Sequence, residues 1–145
     1  MSTKVHATVD ALGNPTGFLL TPGQAHDLEG ADALLPQVQS DVVIADKAFD
    51  AEERVIKPLE EAGKTAVIPS RQNRASPRPY DKTLYAERGL IETFFCKLKQ
   101  FRAIATRYDK TCKLKQFRAI ATRYDKTARN FLAAIHLAAT AIWLN

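Results

Sequence analysis

Two cysteines are all that the 145 residues contain, and Cys96 and Cys112 hold the same place in two copies of a repeat. They are one choice made twice, which excludes a disulfide framework and makes a reducing compartment the default. No group of Cys and His has zinc spacing, and no glycine-rich loop suggests nucleotide binding. Long apolar runs are scarce as well. The longest, residues 131–144, is interrupted by His136 and falls short of a membrane span. No secretory leader is recognisable. These absences together predict a cytoplasmic protein with no membrane partner.

Acidic residues thin out after residue 70. Residues 1–70 hold 5 Lys and Arg against 11 Asp and Glu, a balance of −6; residues 71–145 hold 16 against 5, a balance of +11. The sum is the net charge of +5. A basic half suggests a polyanionic partner, most simply nucleic acid, and an acidic half could hold a divalent metal near its phosphates. A chain of this length with 46% hydrophobic content is long enough for one core and too short for two.

Residues 4–10 alternate and are rich in β-branched side chains, which predicts a strand. Gly13-Asn14-Pro15 is turn chemistry, and residues 16–21 return as a second strand. Asp27 is a plausible N-cap for a helix over 28–38. Residues 41–45 form a continuous apolar run after Asp41, as in a strand buried on both faces. A helix follows from about 50 to Gly63, its expected stop, with Pro58 expected to kink it. Residues 65–69 are another buried strand, and 70–82 a basic loop rich in proline and arginine. Helices over roughly 82–101 and 127–144 complete an α/β pattern.

The first of those last two helices organises the chain. Its apolar residues Leu84, Leu90, Ile91, Phe94, Phe95 and Leu98 fall within an arc of about 140°. Tyr85, Arg88, Glu92 and Lys99 fall within about 60° of one another on a second stripe. The plain reading of that stripe is a solvated face with an Arg88–Glu92 i,i+4 pair. The functional reading is a carboxylate held among cations.

The spacing Tyr, two residues, Arg, three residues, Glu, six residues, Lys matches the YREK pattern, and the chain resembles the DDE transposases of bacterial insertion sequences. The segments Val9-Asp-Ala-Leu-Gly-Asn-Pro15, Gly23-Gln-Ala-His-Asp27, Ala45-Asp-Lys-Ala-Phe-Asp50 and Arg123-Tyr-Asp-Lys-Thr-Ala-Arg-Asn-Phe131 agree with it. The resemblance implies a ribonuclease-H-like mixed sheet with flanking helices. It also implies DNA transposition by metal-dependent phosphodiester cleavage and strand transfer, with Mg²⁺ or Mn²⁺ held by two Asp and one Glu. By that resemblance Asp46, directly beyond a buried strand, is the second acid and Glu92 the third, both catalytic and metal-binding. The bland alternative for Asp46 is a turn or cap. Arg88 and Lys99 would contact DNA phosphate or steady Glu92, and Tyr85 would pack on the displaced strand. Lys47 and Asp50 shape the turn. Partners would be insertion-sequence terminal repeats and target DNA, in a nucleoid-associated setting.

Two departures qualify the match. Cys96-Lys-Leu-Lys-Gln-Phe-Arg-Ala-Ile-Ala-Thr-Arg-Tyr-Asp-Lys-Thr111 recurs unchanged over residues 112–127, so residues 102–117 read as a duplicated insertion within a partial catalytic domain spanning 1–145. In one continuous helix the second copy would be turned by about 160°, its apolar face away from the core. The first acid of the pattern is also hard to place. Asp10 ends the first strand but matches a hairpin position, and the strand that would carry the first acid, with the usual helical DNA-binding region, has no counterpart. The sequence reads as a fragment inactive on its own, or alternatively as a catalytically dead DNA-binding remnant. Its hairpin would then slide in to pair with residues 42–45, or a homo-oligomer would cover the edge. Of the histidines, His136 is expected to be buried and hydrogen-bonded, His6 on the surface, and His26 at a helix start.

Overall fold

A computed structural model describes residues 3–74, 76–101 and 127–144. The duplicated insertion therefore lies outside the described residues. The fold is α/β, but it divides into two compact units, Met1–Ala25 with Leu90–Asn145 and His26–Gly89. Each has its own hydrophobic cluster, so the expectation of a single core is corrected.

In the first unit, β1 (Thr3–Val9) and β2 (Pro15–Pro22) pair antiparallel, with the register shifting between Thr8 and Val9. Asp10 closes the turn: its Oδ1 accepts the N–H groups of Leu12 at 2.9 Å and Asn14 at 2.8 Å, and Oδ2 accepts the Asn14 amide at 3.1 Å. Gly13 sits at φ +83°, a conformation costly for other residues. The hairpin packs on α4 (Gly89–Lys99) and on α5 (Ala128–Trp143), whose N-cap Thr127 accepts the Asn130 N–H at 3.3 Å. Phe94, Leu98, Phe131 and Ile135, all at most 2% exposed, form the centre. Burying side chains of this size stabilises by roughly 1.5–3 kcal/mol each. His136 departs from expectation: it is exposed on α5, edge-on to Phe18 at 5.1 Å. Its position on the helix faces away from the stripe formed by Phe131, Ile135, Ala138 and Ala139. His6 bonds Thr21 Oγ1 at 2.8 Å.

In the second unit, α1 (Asp27–Leu34) is capped by His26 and not by Asp27. The His26 Nδ1 accepts the Leu28 N–H at 3.2 Å, and its own N–H donates to Glu29 Oε1 at 3.3 Å. A short-side-chain cap was expected one residue later; the imidazole does the same work and Glu29 completes a capping box. The strand β3 (Val42–Ile44) pairs in parallel with β4 (Thr65–Val67). Val42 is 39% exposed, so β3 is not buried along its length. Between them the chain makes a π turn, Glu52–Ile56, and then α2 (Lys57–Glu61). Pro58 lies in the first turn of α2, where a missing N–H is harmless, and the widened turn before it accommodates the ring. Val55, Ile56 and Leu59 enter the core. Gly63, at φ +70°, ends α2, and the Lys64 N–H reaches back to the Leu59 carbonyl at 2.8 Å.

Two further corrections concern the sheet and the motif helix. Among the described residues, β-pairing is confined to β1–β2 and β3–β4. The expected single helix over 82–101 is two: α3 (Lys82–Ala86), capped by Asp81, and α4. The Glu87 and Arg88 N–H groups bond Leu84 and Tyr85 carbonyls, both at 3.1 Å, in a tightened i to i+3 pattern that ends α3 before Gly89. No helix among the described residues is long and apolar enough to cross a membrane.

Candidate functional site

The second unit places Asp46 two residues beyond the end of β3, at the carboxyl end of a parallel pair, where α/β folds present ligand-binding groups. Asp46 opens a 3₁₀ turn, Lys47–Phe49, with its backbone carbonyl, which accepts the Phe49 N–H at 2.9 Å. Its side chain makes no capping hydrogen bond. The carboxylate is half exposed, and the Arg88 guanidinium approaches it to 3.9 Å. Such a long, partly solvated pair contributes little stability. It does hold a cation beside an acid that the turn does not use. Arg88 also lies 5.7 Å from the centroid of the Tyr85 ring, and Tyr85 meets Tyr80 edge-on at 5.4 Å. Three of the five sequence-predicted residues, Asp46, Tyr85 and Arg88, thus gather in one unit.

Glu92 and Lys99 belong to α4. Both are exposed, Glu92 in the first turn and Lys99 in the last. Each sign suits the helix dipole at its end, which is the structural component of their placement. They stand seven positions apart, roughly 10 Å along the axis. The break at Glu87–Arg88 means that the four motif residues do not form one continuous helical stripe, as the periodicity had suggested.

Asp50 shapes the turn, as expected, and does more. Its carboxylate is 3% exposed, accepts the Arg71 N–H at 2.8 Å, and pairs with Arg74. Arg71 in turn donates to the carbonyls of Lys47 at 3.3 Å and Ala48 at 2.6 Å, the two residues after Asp46. Arg71 and Arg74 are thereby fastened to the turn that carries Asp46. Arg74 and Arg78 both bond one oxygen of Glu52, Arg78 at 2.6 Å. Hydrogen bonding from Arg74, ahead of the charge and hydrogen bond of Arg78, holds the Glu52 carboxyl below its ordinary range. Sequence reasoning saw the arginines as a basic loop and missed their acidic partners. Pairings across more than twenty residues leave no local signal.

Asp10 is spoken for. The Asn14 N–H foremost, with its side chain and the Leu12 and Gly13 N–H groups, lowers its pKa. A carboxylate serving a turn in this way has few lone pairs for a metal. Among the described residues, no group of three or more His, Cys, Asp or Glu could hold a metal ion. The carboxylates present therefore suit a hard divalent cation in kind but not in number.

Comparison with known proteins agrees with the motif reading. The Transposase DDE domain family matches residues 1–113. A protein of Brucella ovis described as "Putative transposase for insertion sequence element IS6501" is 39% identical over 146 residues, covering all of both chains. No solved structure matches the chain. DDE transposase domains use divalent metal and act on DNA. With three-quarters of its length matched, and with the motif segments in place, the chain belongs to the DDE transposases of insertion sequences, enzymes of DNA transposition.

Proposed function

We propose that Asp46 and Glu92 are two of the acids of a DDE centre for phosphodiester cleavage and strand transfer at insertion-sequence ends. They would supply oxygen ligands to Mg²⁺ or Mn²⁺, the cation that promotes in-line displacement in this family. Arg88, Tyr85 and Lys99 bind the DNA. The observation that carries this reading is the disposition of Asp46: beyond β3, uninvolved in capping, with Arg88 beside it. An arginine there offsets the charge of a carboxylate that must approach a phosphodiester. The wider arrangement is ribonuclease-H-like, with the β1–β2 hairpin and the parallel β3–β4 pair each presenting strand edges. Self-association is the natural way to cover their edges.

With no group of three such ligands among the described residues, the chain alone binds terminal-repeat and target DNA without completing strand transfer. Two measurements test this. Titration with Mn²⁺, followed by its paramagnetic signal, is expected to show weak binding that Asp46→Ala and Glu92→Ala each abolish; binding indifferent to both changes would sink the assignment. Incubation of labelled terminal-repeat DNA with Mg²⁺ is expected to give complexes but no strand-transfer product. Product that vanishes in Asp46→Ala would overturn the inactivity and keep the acids. The same absence of a third ligand favours the alternative of a DNA-binding remnant, marked by DNA affinity that neither metal removal nor loss of either acid alters.

A further inference from the structure

Arg74 and Arg78 line an open cavity of about 520 Å³ with Glu52, Ser76, Pro77 and Pro79, in the second unit. Three observations make this cluster more than a surface ion-pair network. The arginines are three-quarters buried, at 25% and 23% side-chain exposure, while the Glu52 carboxylate they share is 39% exposed. The loop that carries them is fixed at its base, by Asp50 on Arg71 and Arg74 and by Ser70 Oγ, which accepts the Arg78 N–H at 2.7 Å. Last, the Arg78 Nη1 is buried without a hydrogen-bond partner among the described residues. A guanidinium has five donors in a fixed fork, and an unmet buried donor is costly.

We propose that Arg74 and Arg78 form a grip for the phosphodiester backbone of DNA, and that Glu52 is a resident anion which a phosphate displaces. A guanidinium pair recognises carboxylate and phosphate by the same geometry, and a phosphate brings more acceptor oxygens than the one Glu52 oxygen now shared. The rigid base means that the loop does not have to be ordered when DNA arrives, which lowers the cost of binding. Glu52 keeps the two cations from repelling each other in the free protein, and it sets a threshold for capture. The inference deepens the reading that this chain handles DNA, and it assigns a contact surface distinct from Asp46 and the YREK residues.

The test is fluorescence anisotropy of a labelled duplex of mixed sequence, measured over a range of salt with the full chain and with Glu52→Gln and Arg78→Gln. Glu52→Gln removes the competing charge and is expected to tighten binding by about threefold to tenfold, a direction that damage to the fold cannot mimic. Arg78→Gln is expected to weaken binding evenly across sequences and to reduce the slope of log affinity against log salt by about 1. If the wild-type chain binds the duplex but Glu52→Gln binds no tighter, this site is wrong while the DNA reading stands. If the wild-type chain binds no duplex even at low salt, both fail. Inorganic phosphate that binds the wild type but not Arg78→Gln, and leaves the duplex in place at constant ionic strength, would reassign the pocket to a small anion and overturn the proposal.

Discussion

Asp50 accepts the backbone N–H of Arg71 at 2.8 Å while almost wholly buried, so the turn after Asp46 and the arginine loop share one anchor. Removing that anchor leaves the Arg71 N–H and one side of Arg74 without their acceptor. Asp50→Ala is expected to cost about 3 kcal/mol of unfolding free energy, in the range for breaking a buried pair. Asp50→Asn, which can still accept from Arg71, should cost less. Urea denaturation of the two variants checks the order; equal, negligible losses would show that the loop is held elsewhere.

Asp46 should behave in the opposite way. Its carboxylate is half exposed and the Arg88 guanidinium lies 3.9 Å away. Asp46→Asn is expected to leave stability within ~0.5 kcal/mol of wild type, as for other exposed pairs. Thermal unfolding measures this. A large loss of stability would make Asp46 a structural residue.

The pairing of Glu52 with Arg74 and Arg78 has a defined pH dependence. Its carboxyl is held below the ordinary value near 4.5, by Arg74 first. A group whose folded pKa is depressed contributes stability above its unfolded pKa and loses it as pH falls through the folded one. The loop is therefore expected to stay closed at neutral pH and in mild acid, and to open only below the usual glutamate range. Hydrogen exchange or pepsin cleavage in residues 70–79 across acid pH follows the opening. In Glu52→Gln that acid transition should be missing.

Gly63 offers a test confined to the backbone. Its φ is +70° and a Cβ there would meet nothing within 4 Å. Gly63→Ala should therefore cost only the left-handed penalty, about 1–2 kcal/mol. A much larger loss would mean that the cap carries contacts beyond its dihedral angle.

Much of this architecture can be read from local sequence. The hairpin around Gly13-Asn14, the strands after Asp41 and Lys64, the Gly63 stop and the last helix all follow from periodicity and turn residues. The division of the motif helix was not legible, because Glu87 and Arg88 are good helix formers and only the tightened bonding to Leu84 and Tyr85 ends α3. The His26 cap was misplaced by one residue, since Asp is the commoner cap and the imidazole is the less usual acceptor. Length alone suggested one core; two form because Val55, Ile56 and Leu59 find partners within their own unit. At the candidate site, Asp46 and the YREK residues were legible by motif. The pairing of Glu52 and Asp50 with the arginine loop depends on tertiary contact and was not.

The wide turn at Glu52–Ile56 holds a residue more than an ordinary helical winding would, and Pro58 follows two positions later. Excising one residue there would let the winding become regular, but it would carry the pyrrolidine ring into a helix interior, against the carbonyl one turn back. The length of this segment and its proline are thus tied: a shorter version is tolerable only where the proline is exchanged at the same time.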